Sequence, residues 1–257
     1  MAAPAPPLTT VHLWRVPPAR AGGALARMAT DRLRLRRTPG LAFAKLVGTG
    51  DGRTFDARDA DLTTWGLVAS WEHPRHLAAF ERRSPVARGW ARLAHERWRA
   101  DLALLTGHGT WAGVEQPFGS PPRGGRPAGQ RWEGPVAAIT RAQLTFGLWR
   151  TFWAAVPPVV ADLAHAPGLL LRVGIGEAPV GLQGTFSLWS SEQALTDFAY
   201  RTAAHRDAIQ RTHELGWYRE ELFARFAVLA TTGTVFGTDP LRTRAADGGA
   251  DYTSRHA

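Results

Sequence analysis

Gly66-Leu-Val-Ala-Ser-Trp71, followed by Leu77 and Phe80, aligns without a gap on Gly184-Thr-Phe-Ser-Leu-Trp189, followed by Leu195 and Phe198. The offset of 118 residues goes on to pair Ser84 with Thr202, Ala87 with His205 and His95 with His213. Upstream, Pro39-Gly40-Leu41 leading to Val47-Gly48-Thr49-Gly50 matches Pro167-Gly168-Leu169 leading to Val173-Gly174-Ile175-Gly176. The chain therefore contains one unit twice, and the order of elements in one copy predicts the order in the other.

In the second copy, Val136–Leu144 reads as a strand. Apolar residues at 149, 152, 153, 156, 159, 160 and 163 have helical spacing, and Pro167-Gly168 forbids that helix to continue. Leu169–Ile175 and the alternating Leu182–Trp189 form a hairpin about a turn at Gly176–Gly181. Ser190 with Gln193 is a capping pattern that opens a second helix toward Arg201, resuming from about Ala203 to His213. Leu222–Thr231 reads as a helix end followed by a last strand. The first copy repeats this with Val11–Val16, a helix around Gly23–Arg37, Leu41–Val47, Thr64–Trp71, a helix from Pro74 to about Trp98, and Leu102–Leu105.

The expected fold is α+β: tandem ferredoxin-like βαββαβ repeats whose two antiparallel sheets pack together as a dimeric-α/β-barrel-like domain within one chain. The repeats span 10–112 and 135–237. Residues 113–134, rich in Gly, Pro and Arg, read as a linker, and 238–257 as a flexible tail.

Composition narrows the chemistry. A chain of 257 residues with 44% hydrophobic content and eleven Trp has ample apolar surface for a core. It contains no Cys, which removes disulfides, thiolate haem ligation and Cys-based zinc or iron–sulfur sites. No apolar run is long enough to span a bilayer, and the first residues lack the features of a secretory signal, so a cytoplasmic location is expected. The net charge of +9 comes almost wholly from Arg scattered through Ala-, Gly- and Pro-rich sequence. That scatter argues against a nucleic-acid partner and leaves weak, peripheral docking on anionic headgroups.

Among motifs, GxSxG, HExxH, the P-loop and GxGxxG are absent. Gly48-Thr-Gly50 and Gly174-Ile-Gly176 are expected in hairpin turns. The nine His show no trio at metal-ligand spacing, but a haem iron in a chain with no Cys, two Met and three Tyr would turn to an imidazole. His205 stands out because its repeat partner is Ala87, whereas His95 and His213 match each other. Lys45, the sole lysine, and Arg172 fall on second strands and Arg141 on a first strand, where alternation aims a side chain inward or out to solvent. Buried cations there would polarise dioxygen or pair with a haem propionate. Glu177 and Glu220-Glu221 read as solvated or Arg-paired carboxylates. Trp149, Trp153, Phe186, Trp189, Phe198, Trp217, Phe223 and Phe226 read as one wide apolar interior, either a filled core or a pocket.

Several of these segments, in order, resemble the spheroidene monooxygenase family of carotenoid biosynthesis: Pro39-Gly-Leu-Ala-Phe-Ala-Lys-Leu-Val-Gly-Thr-Gly50, Ile139-Thr-Arg-Ala142, Phe152-Trp-Ala-Ala-Val-Pro157, Gly174-Ile-Gly-Glu177, Gly181-Leu-Gln-Gly-Thr-Phe-Ser-Leu-Trp189 and Gly216-Trp-Tyr-Arg-Glu-Glu-Leu-Phe-Ala-Arg-Phe226. The resemblance covers residues 10 to 232. It implies a haem-dependent oxygenase that introduces a keto group near the end of an acyclic carotenoid by successive hydroxylations, with dioxygen and an electron donor such as ferredoxin. Under it, His205 is the proximal ligand and binds the haem iron, Arg141 and Lys45 are distal or propionate-binding charges, and Arg172 is a further cofactor contact. Trp149, Phe186, Trp189 and Trp217 would line the carotenoid. Two other classes stay open: a haem lyase or peroxidase resembling aldoxime dehydratases, and a cofactor-free monooxygenase or small-ligand-binding barrel.

Overall fold

Strands with alternating apolar residues need two different partners, one for each face, and a closed barrel clothed in helices supplies both. The computed structural model describes residues 7–50, 60–120, 132–144, 166–177, 182–201 and 218–242. Within them β1 (Leu8–Arg15), β2 (Leu41–Gly50), β3 (Ala60–Trp71), β4 (Glu96–Trp111), β6 (Val136–Leu144), β7 (Leu169–Gly176), β8 (Leu182–Trp189) and β9 (Tyr218–Gly233) form an antiparallel ring, while the two-residue β5 (Val114–Glu115) hangs on β4. Hydrogen bonds run β1-β3-β2-β7-β8-β6-β9-β4 and return from β4 to β1, so the eight long strands leave no open edge. The fold is thus α+β with an eight-stranded antiparallel barrel. The first half has the order β4-β1-β3-β2 and the second β9-β6-β8-β7. The two seams between them are unequal: β4 meets β9 over eleven residue pairs, β2 meets β7 over three.

Inward positions fill the barrel. Val11, Leu13, Val68, Trp98, Leu102, Ile139, Val173, Phe186, Leu188 and Phe226 belong to one buried cluster. The outward residues of the first half, among them Trp14, Trp65, Leu67 and Trp71, are covered by α1 (Ala21–Leu35), α2 (Pro74–Arg83) and α3 (Pro85–Leu93). Trp14 stacks on Trp90 of α3 with centroids 4.7 Å apart and planes 9° from parallel. On the second half, α4 (Glu192–Arg201) lays Leu195 and Phe198 beside Val136, Ala138 and Trp189.

Several expectations are corrected. The helix expected from Pro74 to Trp98 is two helices: Pro85 cannot continue α2, and the Ser84 hydroxyl instead accepts from the Val86 amide to cap α3. β4 begins at Glu96 and runs 16 residues, far beyond Leu102–Leu105. β9 is likewise one 16-residue strand with no helix end, because Leu222, Ala224, Phe226 and Val228 alternate inward along it. Gly48–Gly50 and Gly174–Gly176 are not turns. They end β2 and β7 and pair with each other across the short seam. Residues 113–120, assigned to the linker, are ordered against the barrel: Phe118 is buried in the interior with Phe43, Trp111 and Phe226. At the other end, Val235 enters the same cluster, and Leu241, in the segment read as tail, packs on it. The helix expected from Trp149 to His165 and its continuation at Ala203–His213 lie outside the described residues.

One buried histidine sets a pH dependence. His12 faces Trp14 and Phe80 on the outer side of β1, and burial, helped by the Arg99 charge, lowers its pKa from 6.5 to about 3. Between those values the unfolded chain holds a proton that the folded chain refuses. Its contribution to stability is complete above pH 6.5 and lost as pH falls toward 3, at about 1.4 kcal/mol per pH unit. Urea unfolding at pH 7 and pH 5 should show this slope in the wild type and a reduced one in His12→Leu.

Candidate functional site

The inward alternation of three strands ends in charge. Lys45 continues the row of Phe43 and Val47, Arg141 that of Ala137 and Ile139, and Glu220 that of Leu222 and Ala224. Glu177 stands one step beyond Ile175, at the end of β7. These side chains meet at one mouth of the barrel. Arg141, with its side chain 4% exposed, pairs with Glu220 at 2.5 Å and reaches Glu177 at 3.5 Å. Lys45 Nζ donates to Glu177 Oε2 at 2.8 Å, the Trp111 indole N–H donates to Glu177 Oε1, and Arg141 lies 5.4 Å from the Trp111 ring centre. Gly184 makes room: a Cβ there would stand 2.5 Å from the Thr140 carbonyl and 3.2 Å from the Arg141 Cα. In the first half the same inward position is held by Leu13, opposite Gly66.

Glu220 also accepts from the Gly113 amide at 2.8 Å and the Thr110 hydroxyl at 3.1 Å. Burial pushes its carboxyl up, but the hydrogen bonds from Gly113, Arg141 and Ala112 and the Arg141 charge outweigh it and hold the pKa at about 2. The other mouth repeats this device. Glu96 pairs with Arg15 and accepts from the Gly237 amide at 2.7 Å. The two turns match: Ala112 and Phe236 both have φ 54°, and Gly113 and Gly237 follow at 74° and 84°. Each half thus ends in a turn gripped by a glutamate of the other half.

Beside Arg141 lies a cavity of about 360 Å³ lined by Thr110, Gln143, Glu177, Arg219 and Glu220. Its size suits a small ligand, but its charged lining does not suit a hydrocarbon. Among the described residues, no group of three or more His, Asp or Glu is placed to hold a metal ion.

A second surface differs from its counterpart in the first half. Aligning the halves by strand pairing puts Thr140 where β1 has His12, Ala142 where it has Trp14, Gly174 where β2 has Leu46, and Thr185 where β3 has Leu67. These positions all face outward, toward the helical side, and each loses bulk. Thr140 is exposed although β6 lies between β8 and β9. Arg172 stands on this face, alternating with the inward Leu171 and Val173.

The structure therefore brings Lys45 and Arg141 together, against two glutamates, and leaves Arg172 on the opposite side of the sheet. Phe186 and Trp189 do not share one interior: successive residues of a strand alternate, so Phe186 packs on Trp98 inside the barrel and Trp189 on Phe198 outside it. His205, Trp149 and Trp217 lie outside the described residues. Sequence reasoning gave Glu177 and Glu220 no role in a site, although both continue inward rows at the period of two.

No family model matches the chain. It is 32% identical to a spheroidene monooxygenase of Rhodobacter capsulatus over 220 residues, which is 86% of this chain and 89% of that protein. The chain belongs to the spheroidene monooxygenase family. Members from Cereibacter sphaeroides and Rubrivivax gelatinosus, also called spheroidene monooxygenase, are 30% and 35% identical over 84% and 76% of this chain, and 65% and 72% of their own lengths. The chain is accordingly an oxygenase. Among solved structures, an aldoxime dehydratase in complex with butyraldoxime superposes with a TM-score of 0.56 at 15% identity, over 92% of this chain and 85% of that one. A second aldoxime dehydratase gives 0.54 at 13%, over 86% and 81%. At such identities the likeness is one of fold.

Proposed function

We propose that this spheroidene monooxygenase relative is a haem-dependent enzyme that hydroxylates and then ketolates an acyclic carotenoid near one end of its polyene, with dioxygen and an external electron donor such as ferredoxin. The substrate class follows from the names of the relatives. The cofactor rests on the family resemblance, and the composition agrees with it: dioxygen chemistry on a hydrocarbon calls for a cofactor, and in a Cys-free chain an imidazole is the ligand a haem iron would take. We also read the barrel as two tandem ferredoxin-like units, supported by the common strand order of the halves and their reciprocal terminal turns.

The observation that carries the reading is the loss of bulk on the outer face of the second half. Thr140, Ala142, Gly174 and Thr185 in place of His12, Trp14, Leu46 and Leu67 give this part of the sheet face smaller side chains than the aromatic and aliphatic ones of the first half. A flat tetrapyrrole would suit a face of small side chains, and His205, which follows α4 in sequence, would hold it. A bound haem supplies dioxygen activation. Arg172, on the same face, would pair with a propionate carboxylate. Trp189, fully buried beside Phe198 on the same side, backs this face with apolar packing. Arg141 and Lys45, neutralised by Glu220 and Glu177, have a positioning role: they tie the strands together at the barrel mouth, on the other side of the sheet.

Haem titration of the purified protein, followed by absorption, tests this reading. It should give one intense Soret band saturating at one haem per chain. His205→Ala should lose most of that uptake, and added imidazole should restore it. An unchanged band in His205→Ala removes the ligand, and a wild-type protein that takes up no haem removes the mechanism. Turnover with no reductant would instead mark a lyase.

A further inference from the structure

The chain's positive charge, scattered along the sequence, is gathered in the fold. Residues 18–37 and 74–93, the helical layer over the first half, hold eleven of the 31 basic residues and two of the 22 acidic ones, Asp31 and Glu81. The rest of the chain is balanced at twenty of each, so the whole +9 resides in this layer. Asp31 is fully buried and held by Arg27 and Arg34, which leaves α1 no exposed acid. The three helices cover one face of one sheet, and their outward sides therefore form one side of the molecule.

The outward side of α1 is also apolar. With Ala24, Met28, Asp31 and Leu35 buried, the helical period turns Ala26, Ala29 and Leu33 outward, flanked by Leu25 and by Arg36 and Arg37. Leu25 and Leu33 are 61% and 63% exposed. Arginines in a last helical turn favour the helix dipole, and single exposed leucines are ordinary. Neither accounts for an Ala-Leu row on the solvent face of a helix whose surroundings carry the full charge of the protein. Phosphates of a nucleic acid would be met by the arginines and leave the leucines in water. A bilayer surface answers both, with headgroups on the arginines and the leucines inserted beneath them.

We propose that α1 and the basic layer around it form a docking face for anionic lipid bilayers. Among the described residues no helix is long and apolar enough to cross a membrane, and the face described here lies on one. This deepens the carotenoid reading, since a polyene hydrocarbon dissolves in lipid. Vesicle binding is read without haem or turnover, so either proposal can fail alone.

The test is co-sedimentation of the full chain with vesicles of phosphatidylcholine alone or with phosphatidylglycerol. Binding is expected on the anionic vesicles at low ionic strength, lost at high salt and absent on neutral ones. Leu25→Glu with Leu33→Glu, and Arg36→Glu with Arg37→Glu, should each weaken binding by about tenfold or more. Leu229→Glu, at a 53% exposed leucine of β9, should leave binding unchanged. All are surface positions, and circular dichroism confirms folding. Absence of binding to anionic vesicles, binding that the α1 variants do not alter, or α1-dependent binding to duplex DNA without vesicle binding would overturn the proposal.

Discussion

Arg141→Leu should lower the unfolding free energy by about 3–5 kcal/mol, although it installs the side chain that Leu13 places at the same position of the first half. The loss comes from what stays behind. Glu220 and Glu177, with side chains 12% and 14% exposed, would face each other at the barrel mouth without the guanidinium that pairs with both. For a chain of this length the midpoint of thermal unfolding should fall by roughly 10 °C. Arg141→Lys should recover part of the loss, since an ammonium restores charge but not the fork that spans two carboxylates. Glu220 works in the same direction with pH. Its folded pKa of about 2 lies below the ordinary 4.5, so its contribution is present above 4.5 and disappears as pH falls through 2. In Arg141→Leu that acid limb should move to higher pH, readable by urea unfolding between pH 6 and 3.

The second large effect concerns function. Ala142→Trp with Gly174→Leu gives the outer face of the second half the bulk that Trp14 and Leu46 give the first. If that face holds the cofactor, the double variant should lose about a hundredfold or more in haem uptake and, with it, carotenoid oxidation. Overpacking costs about 1–3 kcal/mol at each site, and thermal unfolding of the variant separates a loss of uptake from a loss of fold.

Much of this fold is legible in the sequence because duplication prints each pattern twice. Gly66–Trp71 and Gly184–Trp189 mark β3 and β8, and a glycine at the same place in each strand answers one steric need, the close passage of Leu13 or Arg141. The long strands β4 and β9 were harder to read. Gly107 and Gly109 interrupt the apolar row of β4, and Arg225 and Glu221 are charged outward residues of β9 that dilute its pattern. The ordered segment after β4 was hidden by composition: Gly113, Pro117 and Gly119 read as linker, yet a single buried Phe118 and the grip of Glu220 on Gly113 order it. At the mouth, alternation leaves Lys45 and Arg141 pointing either inward or out to solvent; their partners Glu177 and Glu220 lie on other elements, 132 residues from Lys45 and 79 from Arg141, and only the barrel brings them together. The contrast between the two outer faces becomes visible only when strand pairing aligns the halves.

The central claim is that this oxygenase acts on an acyclic carotenoid through a cofactor seated on the second half's outer face. The most direct measurement is the carotenoid profile of a host that accumulates spheroidene, expressing either the wild type or Ala142→Trp/Gly174→Leu at equal protein level. The account predicts keto and hydroxy products with the wild type and unmodified spheroidene with the variant. Unmodified spheroidene in both, or equal oxidation in both, would contradict it.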